Sequence, residues 1–385
     1  MSDSSKKIFF PNLDALRFIA FLLVFLQHGF FNAFQLLQHK SYLTDRIIQF
    51  FFLGGGTGVQ IFFVLSGFLI TYLIIAEINM AGRLDLGKFY LRRTLRIWPL
   101  YYVTVLFGFV IYPFLKARMG IASDLCSTPW YYFSFLANFD AIRIALNCPG
   151  RDAMTQGIVW SVAIEEQFYL VWPLLFIVFK KHQKVLFLLV LALCLAFRII
   201  NINTEGAVLY YHTLSVMGDL AIGGAAAYCM IHQQKVKSFI HGLPRKAIVV
   251  AYIFMFLVYF FNDSLFINAP LRLCSRWIFD LFWAFIILEQ NFAENSFFKL
   301  GRLTFFSNWG KYTYGLYMLH PVGILLIDIL FRATHIKSET FGILLLMGVC
   351  SFVISLVIAR LSYQYFEVPF LRIKERFAVI RTKTA

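Results

Sequence analysis

Residues 58–79 read GVQIFFVLSGFLITYLIIAEIN, a run of 22 residues with one charged side chain, Glu77. A helix needs roughly 20 mostly apolar residues to cross a bilayer, so this stretch has the length and composition of a membrane span. The whole chain is similar: 60% of its 385 residues are hydrophobic, 14% are charged, and Phe occurs 46 times. A soluble domain of this size cannot bury that much apolar surface. We therefore predict an all-α fold, a polytopic membrane helix bundle.

About ten transmembrane helices are predicted, forming a single integral-membrane domain over residues 1–385 with no appended soluble domain. The candidate spans lie near 15–36, 58–79, 98–115, 157–179, 185–200, 207–231, 247–261, 271–288, 312–331 and 341–361. An even number of spans puts both termini on one side, where the loops hold 22 Lys and Arg against 8 in the opposite loops. Because cytoplasmic loops collect these residues, both termini are predicted to be cytoplasmic. The net charge of +15 then mainly reflects the orientation of the protein in the membrane, with most Lys and Arg in cytoplasmic loops.

The first span carries three ionisable residues, Asp14, Arg17 and His28. Such groups are costly inside a membrane, so they are candidates for function. Arg17 and His28 are eleven residues apart, which returns them to one helical face, about 16 Å apart along the axis. Asp14 lies one turn before Arg17 and can pair with it. The alternative is a structural ion pair together with a histidine bonded to a neighbouring helix.

The fourth span carries a polar stripe. Ser161, Glu165 and Tyr169 recur every four residues and share one face of a helix. Both Glu165 and His28 are predicted in the outer half of the membrane, where they could meet. A histidine paired with a carboxylate is suited to proton transfer. The alternative is a buried hydrogen bond that fixes helix packing.

Two arginines stand at the cytoplasmic end of the third span. Arg93 and Arg96 are three residues apart, on one helical face, and are suited to a bidentate grip on phosphate. Ordinary positive-inside anchoring is the alternative.

Two further features concern packing and the backbone. Ser66 and Gly67 form a small-residue notch in the second span, which is typical of close helix packing. In the ninth span, Pro321 leaves a carbonyl without its helical donor, and we expect His320 to bond that backbone group.

The sequence contains no CxxC, HExxH or zinc-binding spacing, so neither a metal nor a permanently bound cofactor is predicted. Cys126 and Cys148 both lie in the outer loop 116–156, and whether they form a disulfide is left open. Further charged residues within spans need partners that the sequence does not identify. They are Asp219, Arg272, Asp280, Asp328 and Arg360.

Six blocks of the sequence, in order between residues 13 and 372, resemble the acyltransferase 3 family of integral-membrane O-acyltransferases. They are Asp14 and Arg17 with His28; Phe62-Phe63-Val64-Leu65-Ser66-Gly67-Phe68; Arg93-Thr94-Leu95-Arg96 before Pro99; Trp160-Ser161 leading to Glu165 and Phe168-Tyr169; Tyr314-Gly315-Leu316-Tyr317 to His320-Pro321; and Phe366-Glu367-Val368-Pro369.

The resemblance implies transfer of an acyl group, usually acetyl, from a cytoplasmic acyl-CoA to a hydroxyl of a cell-envelope glycan such as lipopolysaccharide O-antigen or peptidoglycan. Acetyl-CoA would be the donor substrate, and a bacterial inner membrane the location. The family's essential arginine and histidine fall on Arg17 and His28, and its donor-binding arginines fall on Arg93 and Arg96. The acceptor, the acyl chain length and the oligomeric state are not identified.

The resulting expectations join the residue patterns to the family. The predicted catalytic residues are His28, Arg17 and Glu165; the predicted donor-binding residues are Arg93, Arg96 and Ser66; and the predicted supporting residues are Asp14, Tyr169 and His320. The alternative function is a transporter or flippase for an envelope glycan precursor. Many carriers are built from repeats, and the chain contains no second copy of any of the six blocks, which weighs against that alternative.

Overall fold

The computed structural model describes residues 10–37, 41–52, 54–118, 126–148, 157–335 and 340–378, all of them helical or in connecting turns, with no strand in these ranges. Both chain ends, and parts of the predicted loops 37–57 and 116–156, lie outside them. The α-helices are α1 Pro11–Gln35, α2 Tyr42–Phe51, α3 Gly55–Ala81, α4 Leu86–Leu106, α5 Tyr112–Arg118, α6 Pro129–Phe133, α7 Ala137–Asn147, α8 Val159–Val178, α9 Gln183–Ile200, α10 Gly206–Tyr211, α11 Thr213–His232, α12 Gln234–His241, α13 Arg245–Phe260, α14 Asn262–Leu265, α15 Ala269–Phe292, α16 Thr304–Gly310, α17 Thr313–Ala333, α18 Phe341–Ser362 and α19 Val368–Glu375.

The helices confirm an all-α polytopic bundle. Each predicted span overlaps one or more helices, and within the described residues eight helical segments are long and apolar enough to cross a membrane. The pair α12 and α13, bent by 94°, would make a ninth if it forms one broken span. Helix α15, which matches the predicted span 271–288, is 24 residues long but too rich in charge to join this set. The cytoplasmic location of both termini stays a prediction.

The buried charges of α15 have partners on neighbouring helices. Arg276 donates three hydrogen bonds to Asp219 of α11, the shortest at 2.6 Å, and Asp280 accepts one from Gln60 of α3 at 2.8 Å. Both aspartates are fully buried. Because an unpaired charge in such a place is costly, these bonds explain how α15 can pack inside the bundle. Asp328, also unassigned from the sequence, pairs with Arg332 at 2.8 Å.

Helices α3 and α11 cross at a pair of glycines. A Cβ atom on Gly67 would lie 1.9 Å from the carbonyl oxygen of Leu220, and one on Gly223 would lie 2.0 Å from that of Val64. Only residues without a side chain allow the two backbones to come this close. The predicted packing role of the Ser66-Gly67 notch is therefore confirmed at Gly67.

Helix α4, which carries the two arginines, has a capped start. Asp85 accepts a hydrogen bond from the Lys88 backbone N–H at 3.0 Å, and this bond lowers the pKa of Asp85. A π-helical segment, Phe107–Ile111, joins α4 to α5, and a second, Tyr363–Glu367, joins α18 to α19. π-helical turns are frequent at functional sites, and the second one carries a buried carboxylate, Glu367.

Cys126 and Cys148 form a disulfide, which settles the alternative left open by the sequence. The bond ties the segment before α6 to the residue after α7. Arg143 of α7 reinforces the same hairpin, since it pairs with the buried carboxylate of Asp140 and donates to the carbonyl oxygen of Cys126. The disulfide and Arg143 thus hold the segment before α6 against α7.

Candidate active site

Two cavities lie at opposite ends of α1. The arginine cavity, of about 430 Å³, is lined by Asp14 and Arg17 of α1, by Arg93 and Arg96 of α4, and by residues of α3, α8, α17 and α19. The histidine cavity, of about 810 Å³, is lined by His28 near the other end of α1 and by residues of α3, α7, α8, α10, α17 and α18. Both volumes are typical of small-molecule sites. The predicted topology makes the first cavity cytoplasmic and the second external.

The arginine cavity holds more positive charge than its own carboxylates neutralise. Arg17 donates to Asp14 at 2.6 Å, which confirms the predicted pair. In the part of the chain that the structure describes, neither Arg93 nor Arg96 has an ion-pair partner. Arg93 instead lies over the Tyr169 ring, with 5.6 Å from the guanidinium carbon to the ring centroid. Guanidinium groups without a counter-ion, beside a cavity inside a membrane protein, favour an anionic ligand.

The polar stripe of α8 also faces the arginine cavity. Ser161, Glu165 and Tyr169 all line it, as their four-residue spacing predicts for one helical face. Ser66 of α3 donates a hydrogen bond to Oε1 of Glu165 at 2.5 Å. The structure therefore brings Ser66, Glu165 and Tyr169 together with the two arginines. Their predicted roles in catalysis and donor binding stay predictions.

In the histidine cavity, His28 is bonded to a second histidine. Nδ1 of His28 lies 2.9 Å from Nε2 of His320 on α17, and the two rings are nearly parallel, with 8° between their planes and 5.2 Å between their centroids. Nδ1 of His320 lies 2.8 Å from the carbonyl oxygen of Tyr317, four residues before Pro321. That carbonyl is the one that loses its helical donor at Pro321. The predicted bond between His320 and the freed backbone is therefore confirmed.

These contacts fix the tautomers of both rings when they are neutral. A carbonyl oxygen can only accept, so Nδ1 of His320 carries the hydrogen and its Nε2 holds the lone pair. Nδ1 of His28 must then donate to His320, which leaves the lone pair of His28 on Nε2. His28 is exposed to the cavity although it lies on a central helix. It thus has the arrangement of a general base with its orienting partner.

The predicted meeting of His28 and Glu165 is wrong. Glu165 bonds Ser66 in the arginine cavity, whereas His28 bonds His320 in the histidine cavity. The reason lies in the level of each residue along its helix. Ser161 already reaches the boundary between the cavities, and Glu165 lies one turn beyond it, about 6 Å further towards the arginine side.

One wall of the histidine cavity is aromatic. The ring of Trp160 lies 5.2 Å from that of Tyr210 and 4.9 Å from that of Tyr211, and all three residues line the cavity. The cavity is also lined by polar groups on α1 and α17, including Asn32 and Asp328. A ligand of mixed character, with apolar faces and several hydroxyls, suits these surroundings.

Several residues of the arginine cavity are not among the predicted site residues. Lys311 and Lys374 add two further positive charges, and Glu367 adds a carboxylate. Lys374 and Glu367 come from the segment after α18. Glu367 belongs to the sixth block of the family resemblance, and Lys374 follows that block in the sequence. Lys311 directly precedes the tyrosine-rich start of α17 and resembles an ordinary anchoring residue in sequence.

Comparison with known proteins identifies the family to which the chain belongs. A sequence model described as an acyltransferase domain, of the acyltransferase 3 family, matches residues 10–360. The chain belongs to the acyltransferase 3 family. The resemblance predicted from the six blocks is thereby confirmed, and the match includes both cavities except for the residues after position 360.

Curated relatives in this family are named as O-acetyltransferases. The peptidoglycan O-acetyltransferase OatA of Listeria monocytogenes serovar 1/2a is 32% identical over 234 residues, which cover 57% of this chain and 33% of the relative. YrhL of Bacillus subtilis (strain 168), named as a candidate peptidoglycan O-acetyltransferase, is 27% identical over 390 residues, or 94% of this chain and 55% of the relative. The chain thus spans about a third of the length of the first of these relatives and little more than half of the second. No solved structure matches it.

Proposed function

We propose that this protein is a membrane O-acyltransferase that moves an acyl group, acetyl in the first instance, from cytoplasmic acyl-CoA to a hydroxyl of a cell-envelope glycan. The observation that carries the proposal is the pair of cavities at opposite ends of α1, one rich in unpaired positive charge and the other holding His28 bonded to His320. The protein would act in the inner membrane of a bacterium, with its termini in the cytoplasm.

The donor would bind in the arginine cavity. Coenzyme A carries several phosphate charges, and Arg93 and Arg96, with Lys311 and Lys374 nearby, offer the cations to hold them. Arg17, which forms an ion pair with Asp14, would stabilise negative charge on the donor, closer to its thioester than the phosphates. Ser66 and Glu165 would shape the channel through which the acyl arm extends.

The acceptor would bind in the histidine cavity, where an aromatic wall and several polar groups suit a sugar. Relatives named as peptidoglycan O-acetyltransferases make a peptidoglycan hydroxyl the first acceptor to test, ahead of lipopolysaccharide O-antigen.

His28 would act as the general base. Its Nε2 lone pair takes the proton of the acceptor hydroxyl as the hydroxyl oxygen attacks the thioester carbon. The carbon–sulfur bond then breaks, the acyl group stays on the acceptor oxygen, and the departing thiolate recovers the proton from the His28 imidazolium. His320 holds the ring in the tautomer that this step requires.

The test is a transfer assay on the purified protein in detergent. Acetyl-CoA is supplied with a muramic-acid-containing peptidoglycan fragment or with O-antigen, and thiol release is measured together with the acetylated product. Wild type is compared with His28→Ala and Arg93→Ala, and Arg83→Ala serves as the matched control, because Arg83 is exposed and does not line either cavity.

We expect His28→Ala to bind acetyl-CoA but to lose transfer. We expect Arg93→Ala to weaken donor binding by about 10- to 100-fold, the range of a charge-assisted hydrogen bond, and Arg83→Ala to match wild type. Normal transfer by His28→Ala at normal membrane abundance would refute the base assignment. A wild-type protein that neither binds nor cleaves acetyl-CoA would refute the proposal and favour a transporter.

A further inference from the structure

Tyr317 of α17 is the one residue that lines both cavities within the described part of the chain. Its side chain is buried, and its aromatic ring packs edge-on against Phe62 of α3, with 5.5 Å between centroids. Tyr317 therefore lies where the arginine cavity and the histidine cavity meet.

The hydroxyl of Tyr317 is held by one residue of each cavity. It lies 2.6 Å from Oγ of Ser161, which lines the arginine cavity, and 3.3 Å from the carbonyl oxygen of Ile158, which lines the histidine cavity. Ser161 also donates to the Ile158 carbonyl, at 3.1 Å. When Ser161 does so, the phenol proton is directed at Ser161. That bond can be exchanged for one to another acceptor, because a hydroxyl rotates to suit its partner.

Resting on the function proposed above, we propose that Tyr317 is a further catalytic residue, whose hydroxyl donates a hydrogen bond to the carbonyl oxygen of the acyl thioester as the acyl group crosses between the cavities. The thioester carbon is carried by the donor, which would bind in the arginine cavity. This carbon has to come near His28, which lies in the histidine cavity. The hydroxyl of Tyr317 lies at that boundary. In the free protein Ser161 occupies the place of the thioester oxygen.

The acceptor oxygen bonds to the thioester carbon and its proton goes to Nε2 of His28, so the carbonyl oxygen becomes negatively charged. The phenol of Tyr317 donates to this oxygen without giving up its proton. When the carbon–sulfur bond breaks, the charge leaves with the thiolate, which takes the proton from His28. A donor aimed at developing charge, away from water, stabilises the transition state more than the ground state.

The experiment compares Tyr317→Phe with wild type in the transfer assay, using acetyl-CoA and fluoroacetyl-CoA as donors. The substitution keeps the ring that packs on Phe62 and removes only the hydroxyl. Tyr259→Phe is the matched control, since Tyr259 also makes a 2.6 Å hydroxyl–hydroxyl bond, to Thr57, but lines neither cavity.

We expect Tyr317→Phe to lower kcat with acetyl-CoA by about 100-fold, the effect of removing one donor to a developing oxyanion, while KM stays within about twofold. The defect should shrink with fluoroacetyl-CoA, whose more electrophilic carbonyl depends less on that donor. Tyr259→Phe should match wild type.

Two results for Tyr317→Phe would overturn the role of Tyr317 but leave the proposed function intact. One is a kcat within about threefold of wild type. The other is a loss of kcat of equal size with both donors, which would indicate a purely structural role. Absence of transfer by the wild-type protein with either donor would instead overturn the proposed function, and the role of Tyr317 with it.

Discussion

The bond between His28 and His320 predicts that two conservative substitutions of His320 will have different effects. Glutamine can place an amide oxygen near the position of Nε2 and accept from His28, as His320 does. Asparagine can place an amide nitrogen near the position of Nδ1 and donate to the Tyr317 carbonyl, but it does not reach His28. His320→Gln should therefore keep the tautomer of His28, and His320→Asn should not.

The size of the difference follows from what His28 loses in His320→Asn. A net hydrogen bond contributes about 0.5–1.5 kcal/mol, and a buried donor left without a partner costs about 1–3 kcal/mol. Since each 1.36 kcal/mol changes a rate about tenfold, His320→Asn should reduce kcat by roughly 10- to 100-fold. His320→Gln should stay within about fivefold of wild type, because its lost bond is to the backbone carbonyl of Tyr317.

The assay is single-turnover transfer from radiolabelled acetyl-CoA, with donor binding measured separately by calorimetry. His320→Ala, which removes both bonds, is the reference for complete loss. Binding of acetyl-CoA should be unchanged in all three variants, because His320 does not line the arginine cavity. Equal activity of the Gln and Asn variants, or a higher rate for Asn, would refute the tautomer argument.

Three further predictions concern the donor site and the fold. Arg96→Lys keeps the charge but loses the planar fork, so KM for acetyl-CoA should rise about tenfold in steady-state kinetics; an unchanged KM would exclude a bidentate phosphate contact. Gly67→Ala should leave no folded protein in detergent size-exclusion chromatography, because the added Cβ would lie 1.9 Å from the Leu220 carbonyl oxygen. The control Gly87→Ala should elute normally, because its added Cβ would lie 3.6 Å from the nearest atom. Removing the disulfide of the α6–α7 hairpin by double substitution to alanine should lower the free energy of unfolding by about 3 kcal/mol and so lower Tm; an unchanged melting curve would contradict it.

Features that depend on one helix were predictable from the sequence. The four-residue repeat of Ser161, Glu165 and Tyr169 places them on one face, and the structure confirms it. The bond from His320 to the carbonyl freed at Pro321 follows from backbone chemistry within α17. Periodicity along a single helix contains enough information for such statements.

Features that depend on how helices are arranged around one another were not predictable. His28 and His320 are 292 residues apart, and nothing in either helix indicates that they would bond. The mistaken pairing of His28 with Glu165 came from comparing depth in the membrane without knowing where the boundary between the cavities lies. Likewise, Lys374 resembles a terminal anchoring residue until α19 brings it to the arginine cavity.

The most direct test of the account is the sidedness of transfer in proteoliposomes. Acetyl-CoA is supplied only outside the vesicles and the glycan acceptor only inside, and neither can cross the bilayer. We predict acetylated glycan inside the vesicles, with none formed by His28→Ala. Product that forms only when donor and acceptor share one compartment would contradict the assignment of donor and acceptor to cavities on opposite sides of the membrane.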